Sequence, residues 1–356
     1  MIKAITSESD FEKIKKNWDD IYDICNTATP FQAYNFVKTN WDVWKPEKAQ
    51  LFVICHHKKE EWPADAIFPC YIIDGILKWI DFHCDFCEPL YTVTRDEQYE
   101  LFNEVIGFIL NSKVIHKIDF SRLKPDCLLG GYLLALCKHV DIKAITGYSI
   151  INIKGEEAWI SNMESLSKKK QRNLKDAVKK INFSDFKIYQ RSNAPFPESD
   201  VNNLANYMTK IGIRDSQYLN AKFVNYLKRL YESGILWTAI GYENNVAAGC
   251  MFILPKNDTK EYIEWIMLYR EKKHNLFMMK MVIDALSKTS IPDFKFNMAN
   301  GLYPYKLTNF HPSIYPTYRV RVYSSSMALY KSELRELLTR ITTSIKFIIK
   351  HKLSRW

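Results

Sequence analysis

Alternating hydrophobic and polar positions mark two groups of strands. Over 50–82 the segments QLFVICHH, AIFPCYII and ILKWIDF read as three strands, the second pair joined at Asp74-Gly75, a hairpin signal. A 3.6-residue period then predicts a helix over about 97–111, followed by the strand HKIDFSRL. Residues 235–302 repeat this order. ILWTAIGY, VAAGCMFIL and KEYIEWIML are the strands, with turns at Glu243-Asn244-Asn245 and Pro255-Lys256-Asn257-Asp258. The helix NLFMMKMVIDALSK and the strand DFKFNMANG follow. Helical segments precede each group, at 9–26 and 31–45 in the first half and 199–211 and 217–233 in the second. A pattern written twice predicts an internal duplication. Three strands, a covering helix and a further strand make an α+β layer.

Between the halves, 155–182 predicts an amphipathic helix. Ser161 and Glu164 have capping-box spacing, and Leu166, Leu174, Val178 and Ile181 form its stripe. Its other face carries Lys168, Lys169, Lys170, Arg172, Lys175, Lys179 and Lys180. The segment 327–351 is another amphipathic helix, with Leu334, Leu337, Leu338, Ile341, Ile345 and Ile348 on one side. Its stripe is expected to pack on a domain or a partner. The cations on and after it (Lys331, Arg335, Arg340, Lys346, Lys350, Lys352 and Arg355) would also suit an anionic membrane surface. The expected divisions are 1–154, 155–326 and the terminal helix 327–356.

With 356 residues there is chain enough for two cores, and 47% hydrophobic with 25% charged residues is the ordinary globular range, which excludes a disordered reading. The net charge of +10 points to an anionic partner, whether a phosphate-bearing cofactor, a nucleic acid or a membrane surface. Several of the eight cysteines lie in apolar runs and read as small buried hydrophobes of a reducing compartment. MIKAITSESDFEKIKK has no apolar leader core, and no run approaches a membrane span. The expected location is the cytoplasm, with peripheral contact to the inner face of the membrane where the last helix allows it.

Three segments carry candidate chemistry. Arg270, Lys272, Lys273, His274 and Asn275 lie between a strand and a helix N-terminus, where free N–H groups and the helix dipole hold a pyrophosphate. Asn297, Gly301, Tyr303, Tyr305 and Lys306 follow, as a strand runs into a glycine turn; a tyrosine there can protonate a leaving thiolate. Aromatic packing after a turn is the plainer reading of these tyrosines. Glu264 shares a strand face with Tyr262, Ile266 and Leu268, while Glu261, Ile263, Trp265 and Met267 take the other. Among apolar neighbours its carboxylate would serve as a base. The pair Cys84 and Cys87 has no second pair at zinc-ribbon spacing and reads as a structural turn, so no metal is expected. No base-reading module accompanies the basic helix.

Taken together, these segments resemble the CelD/BcsL-type acetyltransferases of polysaccharide biosynthesis, a tandem-domain branch of the GNAT superfamily related to the FemAB-like transferases. The resemblance covers about 1–330. It rests on the early tryptophan with Pro30-Phe31-Gln32, on Trp41-Asp-Val-Trp44, and on FPCYIID and IDFHCDFCEPLYT. It rests also on the basic segment SLSKKKQRNLKDAVKKI and on FNMANGLYPYKLTNF, where Gly301, Tyr305, Lys306 and Phe310 match and Asn297 replaces an acid. It implies two tandem GNAT-like domains, each with a mixed, largely antiparallel sheet flanked by helices. It also implies acetyl-CoA or another acyl-CoA as co-substrate. The acceptor would be an amine of a sugar or envelope precursor. Glu264, Tyr305 and Lys306 would then be catalytic, and Asn297, Gly301 and Tyr303 would bind substrate. Arg270 matches the first place of the GNAT cofactor loop, while Lys273 and Asn275 stand where small residues are usual. The N-terminal half shows no phosphate loop and is expected to shape the acceptor groove. The alternatives are aminoacyl-tRNA-dependent transfer, with tRNA as partner, and a GNAT-shaped binding protein without chemistry.

Overall fold

The computed structural model describes residues 1–59, 63–153, 167–180, 183–256, 261–270, 281, 294–298 and 313–353. The first half comprises β1 (Ile2–Ile5), α1 (Glu8–Lys13), α2 (Lys15–Ile24), a 3-10 turn (Pro30–Gln32), α3 (Tyr34–Trp44), β2 (Gln50–Leu51), β3 (Val53–His56), β4 (Ala66–Phe68), β5 (Cys70–Ile73), β6 (Ile76–Trp79), β7 (Leu90–Tyr91), α4 (Gln98–Leu110), β8 (Lys117–Leu123), α5 (Leu129–Leu136) and β9 (Val140–Ile153). The second half holds α6 (Lys168–Lys180), β10 (Asp185–Tyr189), α7 (Glu198–Lys210), α8 (Ala221–Glu232), β11 (Trp237–Glu243), β12 (Val246–Lys256), β13 (Glu261–Tyr269), β14 (Phe294–Met298), β15 (Ser313–Tyr323) and α9 (Ser326–Leu353).

Two of the three expected turns behave as the sequence predicts; in the third, Pro255 and Lys256 belong to β12, paired with Tyr262 and Glu261, and Asn257 and Asp258 lie outside the described residues. Asp74 and Gly75 take φ of 49° and 70°, and Asn244 and Asn245 take 50° and 63°, the left-handed pairs of tight hairpins whose twist matches the strands. Asn220 starts α8 four residues later than expected, because its side chain accepts from the Phe223 N–H at 3.0 Å. The expected helix 9–26 is divided at Ile14, which caps α1 and precedes α2.

Two expected strands are each shared between two sheets. QLFVICHH gives β2 to the large sheet and β3 to a four-stranded one ordered β1-β3-β4-β7. AIFPCYII divides at Pro69, β4 staying in the small sheet and β5 joining the large one. Proline has no N–H for a ladder, so the chain changes partners there. Around the bend, Phe52 N–H donates to Cys70 O at 3.0 Å and Ile80 N–H to Pro69 O at 2.8 Å.

Among the described residues the large sheet has eleven strands, ordered β10-β11-β12-β13-β14-β9-β15-β8-β6-β5-β2. Its pairings read alike from both sides of the β9–β15 seam. β9 and β15 are antiparallel to each other. Next come β14 and β8, again antiparallel, then β13 and β6, parallel, then β12 and β5, antiparallel. The duplication is therefore present in space as well as in sequence. Each half lends its last long strand to the other, since β9 pairs with β14 and β15 with β8. Across the same junction, Tyr226 of α8 donates to Asn40 Oδ1 of α3 at 3.1 Å. Arg229 pairs with Asp42 at 3.2 Å. The expected α+β fold of two like units in tandem, with largely antiparallel sheets flanked by helices, is the fold found.

Candidate active site

In the second half the parallel pair β13–β14 is short. Its register runs from Glu261↔Lys295 to Glu264↔Met298. Beyond Glu264 no strand among the described residues pairs with that edge of β13, although β12 pairs with the opposite edge as far as Tyr269. One register step is lost between Phe252/Ile253 and Glu264/Ile266, which leaves Trp265 as an extra residue in β13. Such a bulge twists a strand and re-aims its side chains. It also corrects the simple alternation expected for KEYIEWIML: Ile263 and Trp265 belong to the main core, but the next residue in it is Leu268 rather than Met267.

Glu264 is 3% exposed and occupies the last rung at which β13 and β14 meet. Arg270 ends the strand. Its N–H donates to Ala248 O at 2.9 Å, and its guanidinium lies 5.7 Å from the Tyr207 ring centroid. A buried carboxylate, a stretch of strand edge and a cation thus follow one another along about six residues of β-structure, roughly 20 Å. That length suits an extended ligand with an anionic end.

The corresponding place in the first half is filled by the chain itself. The parallel pair β6–β8 covers Ile76–Lys78 against Lys117–Asp119, and the segment after Trp79 then folds back over it. Cys87 N–H donates to Arg122 O at 3.1 Å, and Ser121 Oγ donates to Asp81 Oδ2 at 2.5 Å. Burial raises the Asp81 carboxyl above its usual range, against that hydrogen bond and the charges of Arg122 and Lys78. His83 and Arg122 take φ of 56° and 62°, a strained region for side chains of their size. Cys84 and Cys87 belong to this plug. Both are buried, and burial pushes the Cys87 thiol well up. Among the described residues no group of three His, Cys, Asp or Glu side chains is arranged to hold a metal.

Trp265 joins the two places. Its indole N–H donates to His83 O at 3.0 Å, and its ring packs against Phe36 at 5.7 Å and Tyr226 at 6.0 Å. His83 lies within 4.6–5.8 Å of the ring centroids of Trp44, Tyr218, Phe223 and Tyr226. This aromatic junction is half-buried at His83, Trp44 and Tyr218. Burial, then the charge of Arg122, lowers the imidazole to about 4, so it is neutral at physiological pH. Lys222 stands 4.6 Å over Trp44 and Arg214 lies 5.9 Å from the Tyr218 ring. The sequence marked His83 only as the neighbour of the Cys84 and Cys87 pair and did not single out Tyr218 or Tyr226, because four distant segments supply the cluster and none shows a spacing of its own. Pro30-Phe31-Gln32 has a clear structural part: the Trp18 indole donates to Gln32 O at 2.8 Å, and Gln32 Oε1 accepts from Thr29 N–H at 2.7 Å.

Of the residues expected at the site, Glu264 and Arg270 lie on β13 and at its end. Asn297 is in β14, its backbone between Ile263 of β13 and Ile150 of β9. Lys272, Lys273, His274, Asn275, Gly301, Tyr303, Tyr305 and Lys306 lie outside the described residues. The basic helix is described over Lys168–Lys180, where Lys168, Lys169, Arg172, Lys175 and Lys179 are exposed.

No family model and no curated protein matches the chain. Solved structures do. The C-terminal domain (DUF2156) of a protein from Agrobacterium fabrum, described as a lysylphosphatidylglycerol synthetase, is similar with a TM-score of 0.58 at 11% identity, over 91% of this chain and 96% of that one. FemX is similar with a TM-score of 0.57 at 9% identity, over 93% and 99%. L-PGS from Bacillus licheniformis is similar with a TM-score of 0.56 at 12% identity, over 92% and 98%. At these identities the likeness is one of fold, and it extends over nearly the whole chain.

Proposed function

We propose that this chain is an acyltransferase that moves an acyl group from acyl-CoA to an amine, with the donor laid along the open edge of β13. The observation that carries the reading is the contrast between the halves: the β13–β14 divergence is unpaired by any described strand, while its counterpart at β6–β8 is plugged. Backbone groups of Trp265–Leu268, which no described strand pairs on that edge, would bond the amides of the pantetheine arm. Arg270, with Lys272 and Lys273, would meet the pyrophosphate. The acceptor nitrogen attacks the thioester carbonyl and the carbon–sulfur bond breaks. Glu264 takes the proton from nitrogen, and Tyr305 gives one to the departing thiolate. The aromatic junction around His83 is the acceptor groove, where flat rings and a neutral imidazole suit a sugar or another envelope precursor. The resemblance to CelD/BcsL-type enzymes supports that acceptor class.

A ligand held only by the folded state raises its melting temperature. Acetyl-CoA or a longer acyl-CoA at about 100 times its Kd is expected to add about 2.7 kcal/mol. Absence of any shift with every CoA thioester at saturation overturns the reading. The exposed cations of α6 and the similarity to FemX and L-PGS favour one second reading, with aminoacyl-tRNA as donor. In that case a gel-shift with charged tRNA is positive, falls steeply with salt, and is weakened by Lys168→Glu with Arg172→Glu.

A further inference from the structure

The polar side of α9 fixes how the helix is turned. The Tyr323 hydroxyl donates to Ser332 Oγ at 2.9 Å, and Glu336 pairs with Arg321 and, at 3.1 Å, with Lys143. Leu329, Ser332 and Glu336 are half-buried against the body, and from Leu337 to Thr343 every residue is exposed. At about 100° per residue, Met327, Leu334, Leu338 and Ile341 lie on the opposite side of the helix from Ser332 and Glu336. Tyr330 and Leu337 flank that row and widen it beyond a single coiled-coil seam. These six side chains are 46–68% exposed. The described part of the stripe expected to pack on a domain, Leu334, Leu337, Leu338 and Ile341, is therefore turned away from this chain's own body.

The charge beside the stripe is mostly positive. Lys331 and Arg335 flank it on one side and Glu333 on the other, and Glu336 is already spent on Arg321. Two copies meeting along this face would bring the cations of both helices together, in a chain whose net charge is +10. An anionic surface removes that conflict and takes the apolar stripe as well. No helix among the described residues is long and apolar enough to cross a membrane, so the helix would lie flat.

We infer that α9 docks this protein on an anionic lipid bilayer, with Met327, Tyr330, Leu334, Leu337, Leu338 and Ile341 in the acyl-chain boundary and Lys331 and Arg335 at the headgroups. The full chain sediments with vesicles of phosphatidylcholine containing one third phosphatidylglycerol, and not with phosphatidylcholine alone. Leu334→Glu with Leu338→Glu replaces exposed side chains, so the fold is retained by circular dichroism, and vesicle binding falls by at least about tenfold. Lys331→Glu with Arg335→Glu weakens binding by roughly fivefold or more for each cation removed, and high salt does the same. The inference is overturned if wild type ignores both vesicles or binds both equally, or if neither double variant changes binding. It is also overturned if wild type is a dimer by analytical ultracentrifugation that Leu334→Glu with Leu338→Glu makes monomeric, with no vesicle binding. The face is then a contact between copies. Binding to CoA plays no part in any of these readouts, so the acyltransferase reading stands or falls separately.

Discussion

Glu264 precedes Trp265 in β13 and the His83 carbonyl accepts from the Trp265 indole, and their surroundings assign them opposite tasks. Glu264 is the buried carboxylate at the last paired rung of β13 and β14. Glu264→Gln keeps shape and hydrogen-bonding capacity but cannot take a proton. Turnover is expected to fall about 100-fold or more with acyl-CoA affinity unchanged, as steady-state kinetics and calorimetry will show. Equal losses in both place Glu264 in binding instead. His83 is held neutral by burial, and an NMR titration should find one imidazole with a midpoint of about 4. The folded value lies below the ordinary one of about 6.5, so the stability His83 contributes is present above that pH and is lost as pH falls towards about 4. His83→Phe should flatten the pH dependence of stability in that window, measured by urea unfolding at several pH values.

Among the elements, the β9–β15–α9 corner depends on one guanidinium. Arg321 is 4% exposed and bonds both Asp141, with Nε at 2.9 Å, and Glu336. Arg321→Met leaves Asp141 and Glu336 to Lys143 alone and should destabilise the protein by about 2 kcal/mol at neutral pH in denaturant unfolding. The Glu336 carboxyl is held at about 2, first by the Arg321 hydrogen bond, against partial burial, and then by Lys143. Its contribution is complete above the ordinary glutamate value and is lost as pH falls through about 2, a dependence that Glu336→Gln should abolish. The elements that were legible are those whose information is local: period-2 runs around Asp74-Gly75 and Asn244-Asn245, and the apolar stripes of α4, α7 and α9. Four others were not. The strands divided at Phe52 and Pro69 are apolar on both sides of the break, so no change of pattern marks the change of sheet. β9 has no turn signal before it, and β15 carries Pro316 in its interior, yet each supplies the other's partner across the seam. Of the site, the strand bearing Glu264 and the cation ending it could be read in advance, whereas the plug at 80–88 and the rings around His83 exist only once distant segments meet.

At the scale of the molecule, the seam makes the two halves one cooperative body. Calorimetry should show a single transition with equal calorimetric and van't Hoff enthalpies, and two resolved transitions would contradict the exchange of β9 and β15. The same exchange sets a timetable for biosynthesis. Asp119 in β8 must wait for Arg321 in β15 before that edge is closed. At about 5–20 residues per second, the ribosome needs roughly 10–40 s to reach it. Throughout that interval a nascent first half presents a bare strand edge, and β9 lies beside it with neither of its final neighbours made. Proteins of this design should thus lean on chaperones that shield strand edges during translation, and a chain stalled shortly before residue 313 should be far more prone to aggregation than one released complete.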